Sequence, residues 1–288
     1  MALSLVTNVM AMRCRTYLDE STSTLNSAIN RMASGYRINT AKDDAAGYTI
    51  AASMGTKLSS YDIASSNTQI GSDLLATLEE NFDLINDHLE RIRELTMQAA
   101  NSTYSKESRE AIKAESLARL NEITRVANSA EYNGFYLMNG TITTALNLQA
   151  GIYGNEHSRI EMGDFLFEKA TSSALFGSDD LEGFAEKCAG LDTTTPTDAS
   201  EMLAEIDEAI TNIATRVTEI GALQNRLDSA INAIDVASQN LTSSVSTIRD
   251  ADVTVESTRY IQAQILQQAS STLLQTANST PSIALELV

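Results

Sequence analysis

Stepping by alternating threes and fours from Leu203 visits Ile206, Ile210, Ile213, Val217, Ile220, Gln224, Leu227, Ile231, Ile234, Ser238, Leu241, Val245 and Ile248, and twelve of these fourteen positions are apolar. A 3.5-residue period held over such a distance predicts a long helix with a narrow apolar seam, wound left-handed about its partners. At a rise of about 1.5 Å per residue it would be roughly 70 Å long, and the Asp, Glu, Thr, Asn, Arg and Ser between the seam positions leave the opposite face wet. A partner helix shows upstream through Leu74, Leu78, Phe82, Ile85, Leu89, Ile92, Leu95 and Ala99, and stops at the breaking stretch Asn101-Ser102-Thr103. A third, from about Lys106 to Ala127, carries Ile112, Leu120, Ile123 and Ala127. Three such seams can cover one another as a bundle.

Between Ala130 and Met162 the period changes. TALNLQAG and HSRIEM alternate apolar with polar around Gly154-Asn155, which predicts a small β-hairpin near 144–162. Residues 163–199 mix short apolar pieces (Phe165 to Phe167, Leu175-Phe176) with Gly, Ser, Asp and a TTTPTD run. They read as an irregular, exposed connector, ending where Thr197 or Asp198 could cap the long helix. Helical spacing also runs through Leu18, Leu25, Ile29 and Met32 at one end, and through Ile261, Ile265, Ala269 and Leu273 at the other. Both terminal stretches are rich in Ser, Thr, Asn and Gln, so each needs a partner, either the other end or another copy of the chain.

Composition agrees with a helical body: 43% of residues are hydrophobic but only 5% aromatic, with no Trp and 2 prolines. The net charge of -18 opposes a phosphate backbone and argues against nucleic-acid binding. No run of about 18 apolar residues exists to span a bilayer. MALSLVTNVMAMRCR carries its positive charges after the apolar stretch, so it reads as mature chain without a cleaved signal. Cys14 and Cys188 are far apart, with no CxxC spacing and only His88 and His157 as further ligands, which speaks against zinc.

The best candidate for local chemistry is SGYRINTAKDDAAG, residues 34–47. Asp43 and Asp44 are adjacent but lack further carboxylates at a calcium-loop spacing, and no nucleophile or base accompanies them. A structural joint explains the loop better: Gly35 ends one helix, Asn39 or Thr40 precedes the next, and Arg37, Lys42, Asp43 and Asp44 pair with neighbouring chains or water. HExxH, GxSxG, P-loop and GxGxxG motifs are all missing, so an enzyme is disfavoured.

SGYRINTAKDDAAG at 34–47, RIRELTMQAANST at 91–103, NEI at 121–123 with EYNG at 131–134, and AQILQQAS at 263–270 together resemble bacterial flagellin, in its order, over roughly residues 1–160 and 200–280. The resemblance implies a mainly α fold: a long antiparallel helical bundle or coiled coil with a small β-hairpin. Residues 1–40 and 255–288 would form a discontinuous terminal-helix core domain, and 41–162 with 200–254 a helical shell domain. The stretch 163–199 would be a short variable connector in place of large outer domains.

Function by resemblance is that of a structural subunit polymerising into the flagellar filament for swimming motility, without cofactor or metal. Such a subunit is extracellular, exported through the flagellar type III channel, held before export by a chaperone at its C-terminal helix, and assembled with cap and junction proteins. The implied subunit-interface residues are Arg31, Gly35, Arg37, Asn39, Lys42, Asp43, Asp44, Arg91, Leu95, Glu115, Ile261, Ile265, Leu266 and Leu273. Of these, Arg91, Leu95 and Glu115 also resemble the contact surface for Toll-like receptor 5, although helix packing suffices to explain them. Cysteine is unusual for the family, and the tail PSIALELV departs from its basic-ended finish. The alternative within the same lineage is the hook-filament junction protein. An acidic, heptad-patterned chemoreceptor hairpin would need membrane spans that the chain lacks.

Overall fold

The computed structural model describes residues 7–177, 179–191 and 198–286. Among the described residues seven α-helices carry the fold: α1 (Val9–Ser34), α2 (Ala45–Ala99), α3 (Lys106–Ser129), α4 (Ser172–Leu175), α5 (Leu181–Cys188), α6 (Asp198–Arg249) and α7 (Val253–Glu286). Two antiparallel strand pairs interrupt them, β1 (Glu131–Tyr132) with β2 (Phe135–Tyr136), and β3 (Leu146–Gln149) with β4 (Arg159–Met162). The fold is thus mainly helical with a small antiparallel hairpin, as the periodicity predicts. The expected cap at Thr197 lies outside the described residues.

The chain divides into two compact units, the described residues of 60–237 in one and those of 1–59 and 238–288 in the other. In the first, α2, α3 and α6 share one apolar core. All eight of the α2 positions read from the sequence are buried. Side-chain pairs fix the directions. Arg91 with Glu115 and His88 with Arg119 run in opposite order along α2 and α3, and Arg93 with Asp207 and Glu79 with Gln224 do the same for α2 and α6.

The seam of α6 differs from the one read from the sequence. Ile206, Ile213, Ile220, Leu227 and Ile234 are buried as expected, but the alternate positions that go deepest are Met202, Ala209, Arg216 and Leu223. Ile210, Val217 and Ile231 sit half-buried on the flank. A two-helix coiled coil needs only a narrow seam, whereas α6 is covered from several sides and therefore buries a broader stripe.

One of those several sides is the stretch 163–191, which corrects the expectation of an exposed connector. Leu166, Phe167, Ala170, Phe184, Ala185 and Cys188 are buried in the main core. Of the apolar pieces at 165–167 and 175–176, Leu166 and Phe167 are core residues and Leu175 and Phe176 are half-buried against the core, with Phe176 and Phe184 in ring contact at 4.3 Å. Here Arg216, only 3% exposed, donates through Nη1 to the Glu168 carbonyl at 2.9 Å and through Nε to Asn212 at 2.9 Å. Its guanidinium lies 5.0 Å from the Phe165 ring centre and 5.8 Å from that of Phe82. Desolvation pushes the Arg216 pKa down, partly opposed by Glu168.

The β3–β4 hairpin falls where alternation predicts it, in the register Gln149↔Arg159 to Leu146↔Met162. It is not closed by a tight Gly154-Asn155 turn. The connection is a longer loop containing a 3-10 turn at Glu156–Ser158, with Ala150 and Gly151 both donating to the Ser158 carbonyl. Gly71 on α2 allows the hairpin's close approach, since a Cβ there would meet Leu148 at 2.5 Å. The two-residue turn that the sequence does encode is Asn133-Gly134 in EYNG, with φ of 49° and 84°. Both are left-handed, as a type I′ turn requires.

Candidate assembly surface

In the second unit α1 and α7 pack antiparallel along one another. Asn8 Nδ2 donates to the Ala277 carbonyl at 2.8 Å, Gln267 Nε2 to Thr22 Oγ1 at 3.0 Å, and Arg31 Nη1 to Glu256 at 3.3 Å. The inward face of α1 is Ala11, Cys14, Leu18, Ser21, Leu25, Ala28 and Met32, and that of α7 is Glu256, Tyr260, Ala263, Gln267, Ser270, Leu274 and Ala277. The small residues Ser21, Ala28, Ala263, Ser270 and Ala277 are among the most buried on these faces, and they let the two backbones approach.

This pairing selects a different face of α7 from the one its large apolar residues mark. Ile261, Ile265, Leu266 and Leu273 are 54%, 63%, 48% and 58% exposed, and Ile29 of α1 is exposed as well. At 100° per residue the four α7 residues fall within an arc of about 140°, turned away from α1. Each end therefore takes the other as its partner through small and polar residues. The greasy stripe of α7 is left open to solvent.

The loop at 34–47 is a joint built by backbone pairing. Gly35 ends α1 in the left-handed conformation, φ 74°, its N–H donating to the Arg31 carbonyl at 2.9 Å. The Arg249 carbonyl accepts from the N–H groups of Arg37 and Ile38, the Ala251 N–H donates to the Gly35 carbonyl, and Arg37 Nη2 donates to the Ile248 carbonyl. Arg249 stacks 4.1 Å from the Tyr36 ring centre, and its Nε donates to the Ile38 carbonyl. The α1–α2 turn and the α6–α7 turn are thus clipped together.

The aspartates are used locally. Asp43 accepts from the N–H groups of Asn39 and Thr40 and from Thr40 Oγ1, contacts that hold its carboxyl below the usual range. Asp44, rather than Asn39 or Thr40, caps α2, accepting from the Gly47 N–H at 2.9 Å. Among the described residues, no group of three or more His, Cys, Asp and Glu side chains is placed to hold a metal. Cys188 is buried, which pushes its thiol up to about 11, so it is a core residue and not the surface thiol its neighbourhood in the sequence suggests. No helix among the described residues is long and apolar enough to cross a membrane.

Arg91 and Glu115 form a 2.9 Å ion pair between α2 and α3, with Glu94 also held by Arg91. These contacts raise the Arg91 pKa and lower that of Glu115. Leu95 does not join them at the surface. It is 2% exposed, packed with Ala99, Ile112, Ala189 and Leu191. Arg31 is likewise drawn into the chain's own pairing with Glu256, while Lys42 stays exposed. Two groups were missed by reading the sequence: Glu256, a buried carboxylate shared by Arg31 and Arg259, and the clip residue Arg249. Only the isolated charges in otherwise polar stretches could have signalled them.

A helical scaffold that leaves the large apolar residues of α7 open to solvent has the make-up of a protein that packs against other proteins. The pattern of the bacterial flagellin N-terminal helical region matches residues 5–143, and that of the C-terminal helical region matches residues 203–288. The chain is 30% identical over 285 residues to the flagellin of Listeria innocua, covering 98% of each, and 31% identical over 287 residues to the flagellar filament 30.7 kDa core protein of Treponema maltophilum, again covering 98% of each. A structure reported as a flagellar hook-associated protein of Vibrio parahaemolyticus shares the fold, with a TM-score of 0.62 at 16% identity over 72% of this chain and 100% of that one. The chain belongs to the bacterial flagellin family.

Proposed function

We propose that this protein is the subunit of a flagellar filament, polymerising outside the cell through the exposed stripe of α7. The carrying observation is that Ile261, Ile265, Leu266 and Leu273 remain open to solvent after α1 and α7 have paired. Burying such a stripe against a different surface of the next copy gives a heterologous contact, which does not close on itself and propagates as a helix. In this reading residues 1–40 and 255–288 form the filament core and the remaining helices a shell. The clipped loops at 34–47 and 249–252 present Arg37, Asn39 and Lys42 near neighbouring copies, with Asp43 and Asp44 shaping the loop.

Export through the type III channel, a chaperone holding the C-terminal helix, and partnership with cap and junction proteins belong to the same reading. The exposed α7 stripe is a natural chaperone target before assembly, because it is the largest apolar feature among the described residues of that helix. Engagement of Toll-like receptor 5 would fall to Arg91 and Glu115, since Leu95 faces the core. The related hook-filament junction role shares the fold and differs in the polymer formed. Seeding purified protein and viewing it by electron microscopy separates the two: long uniform tubes support the filament, and short rings or no polymer reject it.

A further inference from the structure

We infer that the Asn133–Gly134 step is a site of spontaneous covalent modification, converting to aspartate and isoaspartate through a cyclic imide. The backbone nitrogen of Gly134 attacks Asn133 Cγ and gives up its proton to solvent, and the carboxamide nitrogen leaves as ammonia. Water then opens the ring at either carbonyl, so water and ammonia are the only species exchanged.

The chain has two Asn-Gly steps, and their surroundings differ. Asn133 and Gly134 are exposed, nothing lies within 4 Å of where a Gly134 Cβ would be, and among the described residues neither the Asn133 carboxamide nor the Gly134 N–H takes a hydrogen bond. At the second step Asn139 Oδ1 accepts from the Thr141 N–H at 3.0 Å and from Thr141 Oγ1 at 2.7 Å. The Met138 carbonyl is tied to the Ala170 N–H, and a Cβ on Gly140 would meet Lys169 at 3.3 Å. Attack requires the asparagine to leave its turn conformation, φ 49° at Asn133. That opening is easy where only β1 and β2, of 2 residues each, must separate, and hard where the backbone is packed.

Isoaspartate adds one carbon to the backbone, so a two-residue turn can no longer close the pairs Tyr132↔Phe135 and Glu131↔Tyr136. The exposed rings of Phe135 and Tyr136 would lose their placement as a molecule ages. The test is peptide mapping by mass spectrometry, with enzymatic isoaspartate labelling, of full-length protein held in warm, neutral to mildly alkaline buffer. Asn133 is expected to convert severalfold faster than Asn139, faster still as pH rises, and Asn133→Ser to remove most of the isoaspartate signal. Equal rates at the two steps, a faster Asn139, or no conversion at Asn133 by the time a free EYNGFY peptide has fully converted would each overturn the assignment.

Discussion

Truncating Ile265 to alanine should leave the lone molecule untouched and cripple its assembly. Full burial of an isoleucine is worth about 1.5–3 kcal/mol. With 63% of Ile265 still open in the single chain, about 1–2 kcal/mol of that remains to be gained when a neighbour covers it. Alanine forfeits most of this, so the critical concentration for polymerisation should rise about fivefold to twentyfold. Truncating Ile261, Ile265, Leu266 and Leu273 together removes about 4–6 kcal/mol, a rise of about a thousandfold or more. The chain's own stability should change by less than about 0.5 kcal/mol, because no cavity is created in a packed core. Sedimentation of seeded protein over a concentration series, alongside urea unfolding of unseeded protein, reads both quantities. An Ile265→Ala chain that polymerises at the wild-type concentration, or one that loses several kcal/mol as a monomer, would refute the reasoning.

Other substitutions probe the scaffold. Arg216→Ala should destabilise the chain by about 3 kcal/mol, since it loses a charged hydrogen bond to the Glu168 carbonyl and stacking on two rings. Arg216→Met keeps the packed stem and should lose clearly less in chemical denaturation, so equal losses would argue against the buried guanidinium's role. Gly35→Ala should lower stability by about 1 kcal/mol through backbone strain alone, because φ is 74° and the space beside it is empty. An unchanged urea midpoint would contradict this. Asp252 accepts from the Thr254 and Val255 N–H groups, which hold its carboxyl below the usual range. A lowered folded-state pKa means the cap's contribution is complete above the unfolded value, near about 4, and is lost as pH falls through the lower folded one. The protection of amides at the start of α7, measured against the unfolded chain at the same pH, should therefore hold down to about pH 4 and fall below it, and a fall already near neutrality would count against the cap.

The helices of the 60–237 unit were legible because their burial follows large apolar residues at helical spacing, as Leu78, Phe82, Ile85 and Leu89 show. The α1–α7 pair was legible as two helices but not as a face, since Ala28, Ala263 and Ser270 carry too little hydrophobic signal to outrank Ile261 and Ile265. Arg216 hid the true seam of α6 in the same way, because a charged residue reads as solvated unless its carbonyl and aromatic partners are known. The stretch 163–191 was misjudged because its Gly and Ser suggest a loop, whereas its apolar residues close the core from outside any periodic pattern. The joint at 34–47 was recognisable from Gly35 and the aspartates, but its counterpart at Arg249 comes from 211 residues further along and no local pattern announces it.

Hydroxyl-radical footprinting of α7 before and after seeded assembly tests the central claim most directly. Ile261, Ile265, Leu266 and Leu273 should label readily in the single molecule and become protected in the polymer, while Leu75 and Ile85, fully buried already, stay dark in both. Labelling of those four residues that persists undiminished in the assembled tubes would contradict the account.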